Sequence, residues 1–139
     1  MPAKALVVDA NILIRSVLGT RTRRLLETYC EQATFFVPAT ALFEAEEHLA
    51  ALAAQRGSEP EVALKLLRAL AALTEVLQED AYEAYRHEAV DLIGKRDPDD
   101  WPVLACALAT GCPIWCEDDF FGCGVAVWTS DRVERYLLR

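Results

Sequence analysis

The sequence predicts an α/β fold, a single domain over residues 1–139 built on a mostly parallel central sheet of four to five short strands with helices on both faces. Three observations predict it. Short apolar or β-branched runs alternate with helical patterns along the whole chain. Those runs stay apolar at successive positions, as strands buried on both faces do, instead of alternating with polar residues. With 139 residues, 53% of them hydrophobic, the chain is long enough for one sizeable core.

The elements follow in order. Ala5–Val8 is a fully apolar run, hence a buried strand, and Asp9-Ala10-Asn11 turns it into a helix (Ile12 to Leu18) closed by Gly19. A second helix runs from Thr20 to about Ala33, followed by the β-branched and aromatic strand Thr34–Val37 ended by Pro38. Thr40 to Gln55 is a long helix stopped by Arg56-Gly57-Ser58-Glu59-Pro60, and Glu61 to Leu73 is another. Glu75-Val76-Leu77 is a weakly signalled strand, and Asp80 to Ile93 a polar helix ended by Gly94-Lys95-Arg96. Asp97-Pro98-Asp99-Asp100-Trp101-Pro102 introduces an Ala-rich helix that Gly111 terminates. Pro113–Cys116 and Val125–Trp128 are the last strands, separated by an acidic turn and a glycine-containing loop, and Ser130 is placed to cap the C-terminal helix.

Composition excludes several classes. No apolar run approaches the ~18 residues of a membrane span, and the four-residue run after Lys4 is too short for a secretory leader. The expected setting is cytoplasmic, without membrane association. Five cysteines in a chain with ample core argue for buried thiols and not for a disulfide scaffold. A formal charge of −8, from 22 acids against 14 Lys and Arg, is wrong for a protein that coats nucleic acid by bulk attraction. It is compatible with a nuclease whose acids hold divalent cations, which then meet the phosphate.

In an open α/β sheet the functional crevice lies beyond the carboxyl ends of the strands. Two predicted strands end directly in acids, at Asp9 and at Glu117-Asp118-Asp119. Asp9 beside a buried strand needs a partner or a cation, although it is also well placed to cap the next helix. Asn11 is an alternative cap or a neutral donor. Glu44, flanked by Leu42 and Phe43, is placed at the edge of the core, in competition with an ordinary surface glutamate near a helix start. Asp97, Asp99 and Asp100 put three acids in four positions, more than one cap explains. These crowded acids favour an oxygen-ligand site for Mg²⁺ or Mn²⁺. Zinc is disfavoured by two histidines and no paired Cys-x₂-Cys, and phosphate-binding glycine loops and a nucleophile elbow are missing. Arg15, Arg21, Arg23 and Arg24, near the first strand's exit, are candidate phosphate contacts, though each alone reads as a solvated helix charge.

With these acids placed, the chain resembles the PIN-domain family of metal-dependent ribonucleases, which includes the VapC-type toxins, and the match runs essentially end to end. Val7-Val8-Asp9-Ala10-Asn11 reproduces the family's strand followed by D-x-N, and Glu44 stands for its glutamate early in the helix after the second strand. Asp100, eleven residues before Gly111, matches the Asp opening a late helix. Where the family commonly has T-x-D and an aromatic, this chain has Cys116-Glu117-Asp118-Asp119-Phe120, so cysteine replaces the threonine. The resemblance implies Asp9, Glu44, Asp100 and Asp118 as catalytic ligands of one or two Mg²⁺ or Mn²⁺ ions, with Asp99, Asp119 and Asp97 as rivals and Asn11 orienting substrate. It further implies RNA phosphodiester hydrolysis leaving a 3′-hydroxyl, the toxin role in a type II toxin-antitoxin pair, an antitoxin partner and a homodimer. The alternative is a PIN-like module that binds RNA or protein without cutting.

Overall fold

The computed structural model describes residues 4–117 and 119–139. Five parallel strands, β1 (Lys4–Val8), β2 (Ala33–Pro38), β3 (Glu75–Leu77), β4 (Ile114–Trp115) and β5 (Val127–Trp128), form one sheet in the order β3-β2-β1-β4-β5. Seven α-helices accompany them among the described residues: α1 (Ala10–Leu18), α2 (Arg21–Tyr29), α3 (Ala39–Gln55), α4 (Glu61–Ala71), α5 (Arg86–Ile93), α6 (Trp101–Thr110) and α7 (Val133–Leu137). The predicted α/β class, its parallel sheet and its two helical faces are all present.

Alternation along β1 divides the interior in two. Leu6 and Val8 point into one core with Phe35, Val37, Trp115 and residues of α1, α2, α3, α4 and α7. Val7 points into the other, with Ile114, Cys116 and residues of α5 and α6. Every one of these β1 residues is fully buried, which is why the run carries no polar residue. Trp115 is also fully buried, its ring 5.9 Å from Phe35 and its indole N–H donating to Ser130 Oγ at 3.0 Å.

Four sequence expectations need correction. The helix predicted over Asp80 to Ile93 is two 3₁₀ turns, Glu79–Ala81 and Glu83–Tyr85, followed by the eight-residue α5. Tyr82, 1% exposed, leaves helical geometry to lay its ring 5.6 Å from Trp101, and this packing breaks the periodicity. The second helix stops at Tyr29 and not near Ala33, because buried Ala33 pairs with Lys4 in the sheet. The last strand is two residues long, since the loop before it, with Gly122 and Gly124 at positive φ, runs on to Ala126. Ser130 does not cap α7: the Val133 N–H goes to the Thr129 carbonyl at 2.8 Å, and Ser130 serves the buried indole instead.

β1 is the switch point of the sheet, with β2 and β3 on one side and β4 and β5 on the other. The crevice of such a sheet opens at the carboxyl ends of the strands flanking the switch. There β1 hands over to Asp9, β2 to α3, and β4 to the acidic turn.

Candidate functional site

A cavity of about 80 Å³ opens at that edge, lined by Asp9, Asn11, Thr40, Glu44, Asp99, Asp100, Asp119 and Phe120 among others. Each acid arrives on a different piece of the fold. Asp9 follows β1 and is only 6% exposed; its Oδ1 accepts the Ile12 N–H at 3.0 Å, so it caps α1 and faces the cavity at once. The two readings of Asp9 are therefore compatible. Glu44 lies one turn after Thr40 on α3, and the i, i+4 spacing puts both on the cavity side. It is exposed there, not tucked at the core edge, and its neighbour Phe43 is 61% exposed.

The acids before α6 divide between two tasks. Asp97 caps the 3₁₀ turn Pro98–Asp100, its Oδ1 accepting the Asp99 N–H at 3.0 Å, and does not line the cavity. Asp100 occupies the N-cap position of α6, yet its side chain makes no capping bond, and both it and Asp99 line the cavity. The Asp100 backbone runs on from the 3₁₀ turn (φ −82, ψ 0) and Pro102 has no N–H to cap, so the carboxylate faces the other acids of the cavity. Asp118 lies outside the described residues, while its neighbour Asp119 lines the cavity.

Crowding and burial shift these groups strongly. Burial raises the Asp9 carboxyl from 3.8 to about 7; the Ile12 N–H opposes the rise, and Asp119, Asp100 and Glu117 add to it. Burial likewise lifts Asp100 to about 6, reinforced by Asp119, Asp97, Glu44 and Asp99. Among the described residues no ion pair relieves any acid of the cavity, and no three His, Cys, Asp or Glu side chains converge as a ready-made ligand shell. The donor set is all oxygen, the chemistry suited to a hard divalent cation. Arg15, Arg21, Arg23 and Arg24 do not line this cavity; Arg21 and Arg24 border a separate groove with Asp131 and Glu134.

Two residues of the β4 turn hold the site's backbone. Cys116, where the resemblance leads one to expect threonine, is fully buried and its Sγ–H donates to the Asp119 carbonyl at 2.9 Å. Burial pushes that thiol up to about 12, so it remains a protonated donor. Glu117 does not line the cavity. Its Oε1 accepts from the Ser130 N–H at 2.9 Å and from the Ser130 hydroxyl, tying the end of β4 to the turn after β5. Ser130→Ala should cost about 1–3 kcal/mol by orphaning the buried Trp115 N–H, read as a lower urea midpoint; an unchanged midpoint would mean the indole finds another acceptor.

Sequence reasoning missed Thr40 and Phe120 as lining residues. Phe120 has φ +69, a conformation costly for a non-glycine residue, and is 2% exposed. It packs in the second core, and both it and Asp119 line the cavity.

A family model described as PIN domain matches residues 7–138. The chain belongs to the PIN-domain family. The fold is shared with several solved structures at low identity. PAE2754 from Pyrobaculum aerophilum aligns at a TM-score of 0.71 with 15% identity, covering 98% of this chain and 90% of that one. VapBC2 from Rickettsia felis, solved bound to a DNA fragment from its promoter, aligns at 0.66 with 13% identity over 90% of this chain and 98% of that one. A toxin-antitoxin complex from Klebsiella pneumoniae aligns at 0.65 with 20% identity over 90% and 97% respectively. No curated relative matches the sequence. No helix among the described residues of this PIN domain is long and apolar enough to cross a membrane.

Proposed function

We propose that this PIN domain is a Mg²⁺- or Mn²⁺-dependent endoribonuclease, the toxin member of a toxin-antitoxin pair. One observation carries the reading: carboxylates from the ends of β1, the start of α3, the start of α6 and the β4 turn share one small cavity with no ion pair among the described residues. Such a set is electrostatically costly alone and suited to a cation. Asp9, Glu44 and Asp100 would hold one or two ions with an acid of the β4 turn, Asp119 or Asp118, and with Asp99 in reach of the same cavity. When bound, such an ion would supply a water of lowered pKa and positive charge to offset that of the phosphate.

The chain's own residues do the rest. Asp9 has Oδ1 committed to the Ile12 N–H, which fixes the carboxylate's orientation while its other oxygen makes no hydrogen bond to the described protein. Glu44 and Asp100 face it from two other elements. Asn11, exposed on the first turn of α1, offers an amide N–H donor to a phosphate or ribose oxygen without adding negative charge. Phe120 closes the cavity's apolar side and limits water there. The toxin role and an antitoxin partner are supported by similar structures described as VapBC2 and as a toxin-antitoxin complex; a homodimer belongs to the same proposal.

The decisive assay is cleavage of single-stranded and structured RNA by purified protein in Mg²⁺ or Mn²⁺ against EDTA, with Asp100→Asn as control. Metal-dependent cutting lost in the variant is the expected result. If no RNA is cut and Mn²⁺ gives no thermal stabilisation, the metal site fails and a non-cleaving binding module takes its place.

A further inference from the structure

We propose that the Thr40 and Tyr82 hydroxyls act as a pair at the acidic cavity, Tyr82 donating to Thr40 Oγ1 so that the Thr40 proton is turned toward a non-bridging oxygen of the scissile phosphate. Thr40 is then a catalytic residue that touches substrate, and Tyr82 a positioning residue behind it; the inference rests on the ribonuclease reading above. A buried group without a partner sets the pair apart. Tyr82 is 1% exposed, and its Oη is the one buried side-chain polar atom among the described residues that makes no hydrogen bond. Such an atom loses its hydration without compensation, and phenylalanine would fill the same space in the second core at no such cost. Burial raises the Tyr82 phenol above its ordinary 10.0; the Thr40 side chain is the neighbour that pulls the other way, while Cys106 and Glu79 add to the rise. The hydroxyl therefore stays protonated near neutral pH, a donor with Thr40 beside it.

The fold holds that donor against the cavity wall. Pro38 and Leu77 are register partners in β2 and β3, so the chain leaves the two strands side by side, into α3 with Thr40 on one and into the 3₁₀ turn before Tyr82 on the other. The Tyr82 ring lies 5.6 Å from that of Trp101, which stands between the lining residues Asp100 and Pro102. The Arg86 guanidinium lies over the same indole at 4.8 Å. Tyr82 is thus fixed from the α6 side, and Thr40 is its link to the cavity. Thr40 is also the only hydroxyl-bearing side chain among the described lining residues. Cys116 cannot take its place, since it is fully buried and donates to the Asp119 carbonyl. A phosphate among carboxylates gains from a neutral donor, because the hydrogen bond is charge-assisted and adds no negative charge. A hydroxyl standing alone beside Glu44 would give its proton to a carboxylate. A donor that fills one of its lone pairs fixes its rotation and strengthens its own O–H.

The test uses the full chain and measures steady-state RNA cleavage in Mn²⁺ and thermal melting in EDTA. Thr40→Val should lower kcat about 100-fold, the usual loss for one donor to a developing oxyanion, with KM little changed. Thr40→Ser should restore most of the rate. Tyr82→Phe should lower kcat about 10-fold, while its melting temperature rises by about 3 °C because the unpartnered hydroxyl is gone. Adding Tyr82→Phe to Thr40→Val should change kcat no further, since the two act as a unit. The Mn²⁺ concentration at half-maximal rate should hold in all of them. Tyr82→Phe that melts below the wild type would show a hydroxyl bonded within the fold, and unchanged kcat would show one that is idle. Additive losses in the double variant would show two hydroxyls acting apart, and a rise of about 10-fold in the Mn²⁺ requirement would place Thr40 on the ion. Each of these overturns the pair and leaves the nuclease reading standing. A wild type that cuts no RNA removes the nuclease reading, and the pair with it.

Discussion

Asp9→Asn is expected to reduce metal-dependent cleavage by about a thousand-fold while making the metal-free protein more stable. Both effects come from one carboxylate. Bound divalent ions contribute several kcal/mol to a phosphoryl-transfer transition state, and about 4 kcal/mol corresponds to three orders of magnitude in rate. Asparagine keeps an oxygen that can accept the Ile12 N–H at the cap of α1 and is among the best N-cap residues, so the helix start should survive. What disappears is a negative charge buried to 6% exposure among Asp119, Asp100 and Glu117. Removing an unpaired buried charge relieves desolvation and repulsion together. The pairing of lost activity with raised stability separates a functional carboxylate from a structural one, since a purely structural cap would lose neither activity nor charge strain. The checks are initial rates in Mn²⁺ and thermal melting in EDTA; a variant that melts well below the wild type would show that the charge is needed by the fold and not by the chemistry.

Much of this site was legible in the sequence because strands buried on both faces leave no ambiguity about where they end. The apolar run Ala5–Val8 stops at Asp9, Gly111 stops α6 in the left-handed conformation, and Asp100 then falls at the start of the intervening helix. What the sequence did not separate was the work of neighbouring acids. Asp97 and Asp100 are the same residue type three positions apart, but Asp97 has extended backbone and caps a turn, while Asp100, at φ −82 and ψ 0, makes no capping bond. Glu117 looked like part of the acidic cluster, and only the fold reveals Ser130, thirteen residues away, as its partner. The broken helix before α5 was hidden for the same reason: the local pattern is helical, and the burial of Tyr82 overrides it.

A last consequence concerns pH. The Asp9 carboxyl titrates at about 7 in the folded chain against 3.8 for its ordinary value, and Asp100 is raised in the same direction, to about 6. Between these limits the folded protein binds a proton that the unfolded chain has released. Stability from this source is therefore full below about pH 4 and is lost as the pH rises through 7, so metal-free protein should be more stable at pH 5 than at pH 8. For Asp9 alone the difference between pH 5 and pH 8 is about 3 kcal/mol, from roughly two pH units below its folded value at about 1.4 kcal/mol per unit. A divalent cation reverses the sign. It binds the deprotonated acids, so its stabilisation grows with pH, reaching about 2.7 kcal/mol at a hundred times its Kd. Melting curves from pH 4.5 to 8.5, in EDTA and in Mn²⁺, should fall with pH in the first series and diverge upward from it in the second. In Asp9→Asn the EDTA series should flatten. A wild-type protein whose metal-free stability rises from pH 5 to 8 would mean that the buried carboxylate is compensated within the fold and exerts no demand for a cation.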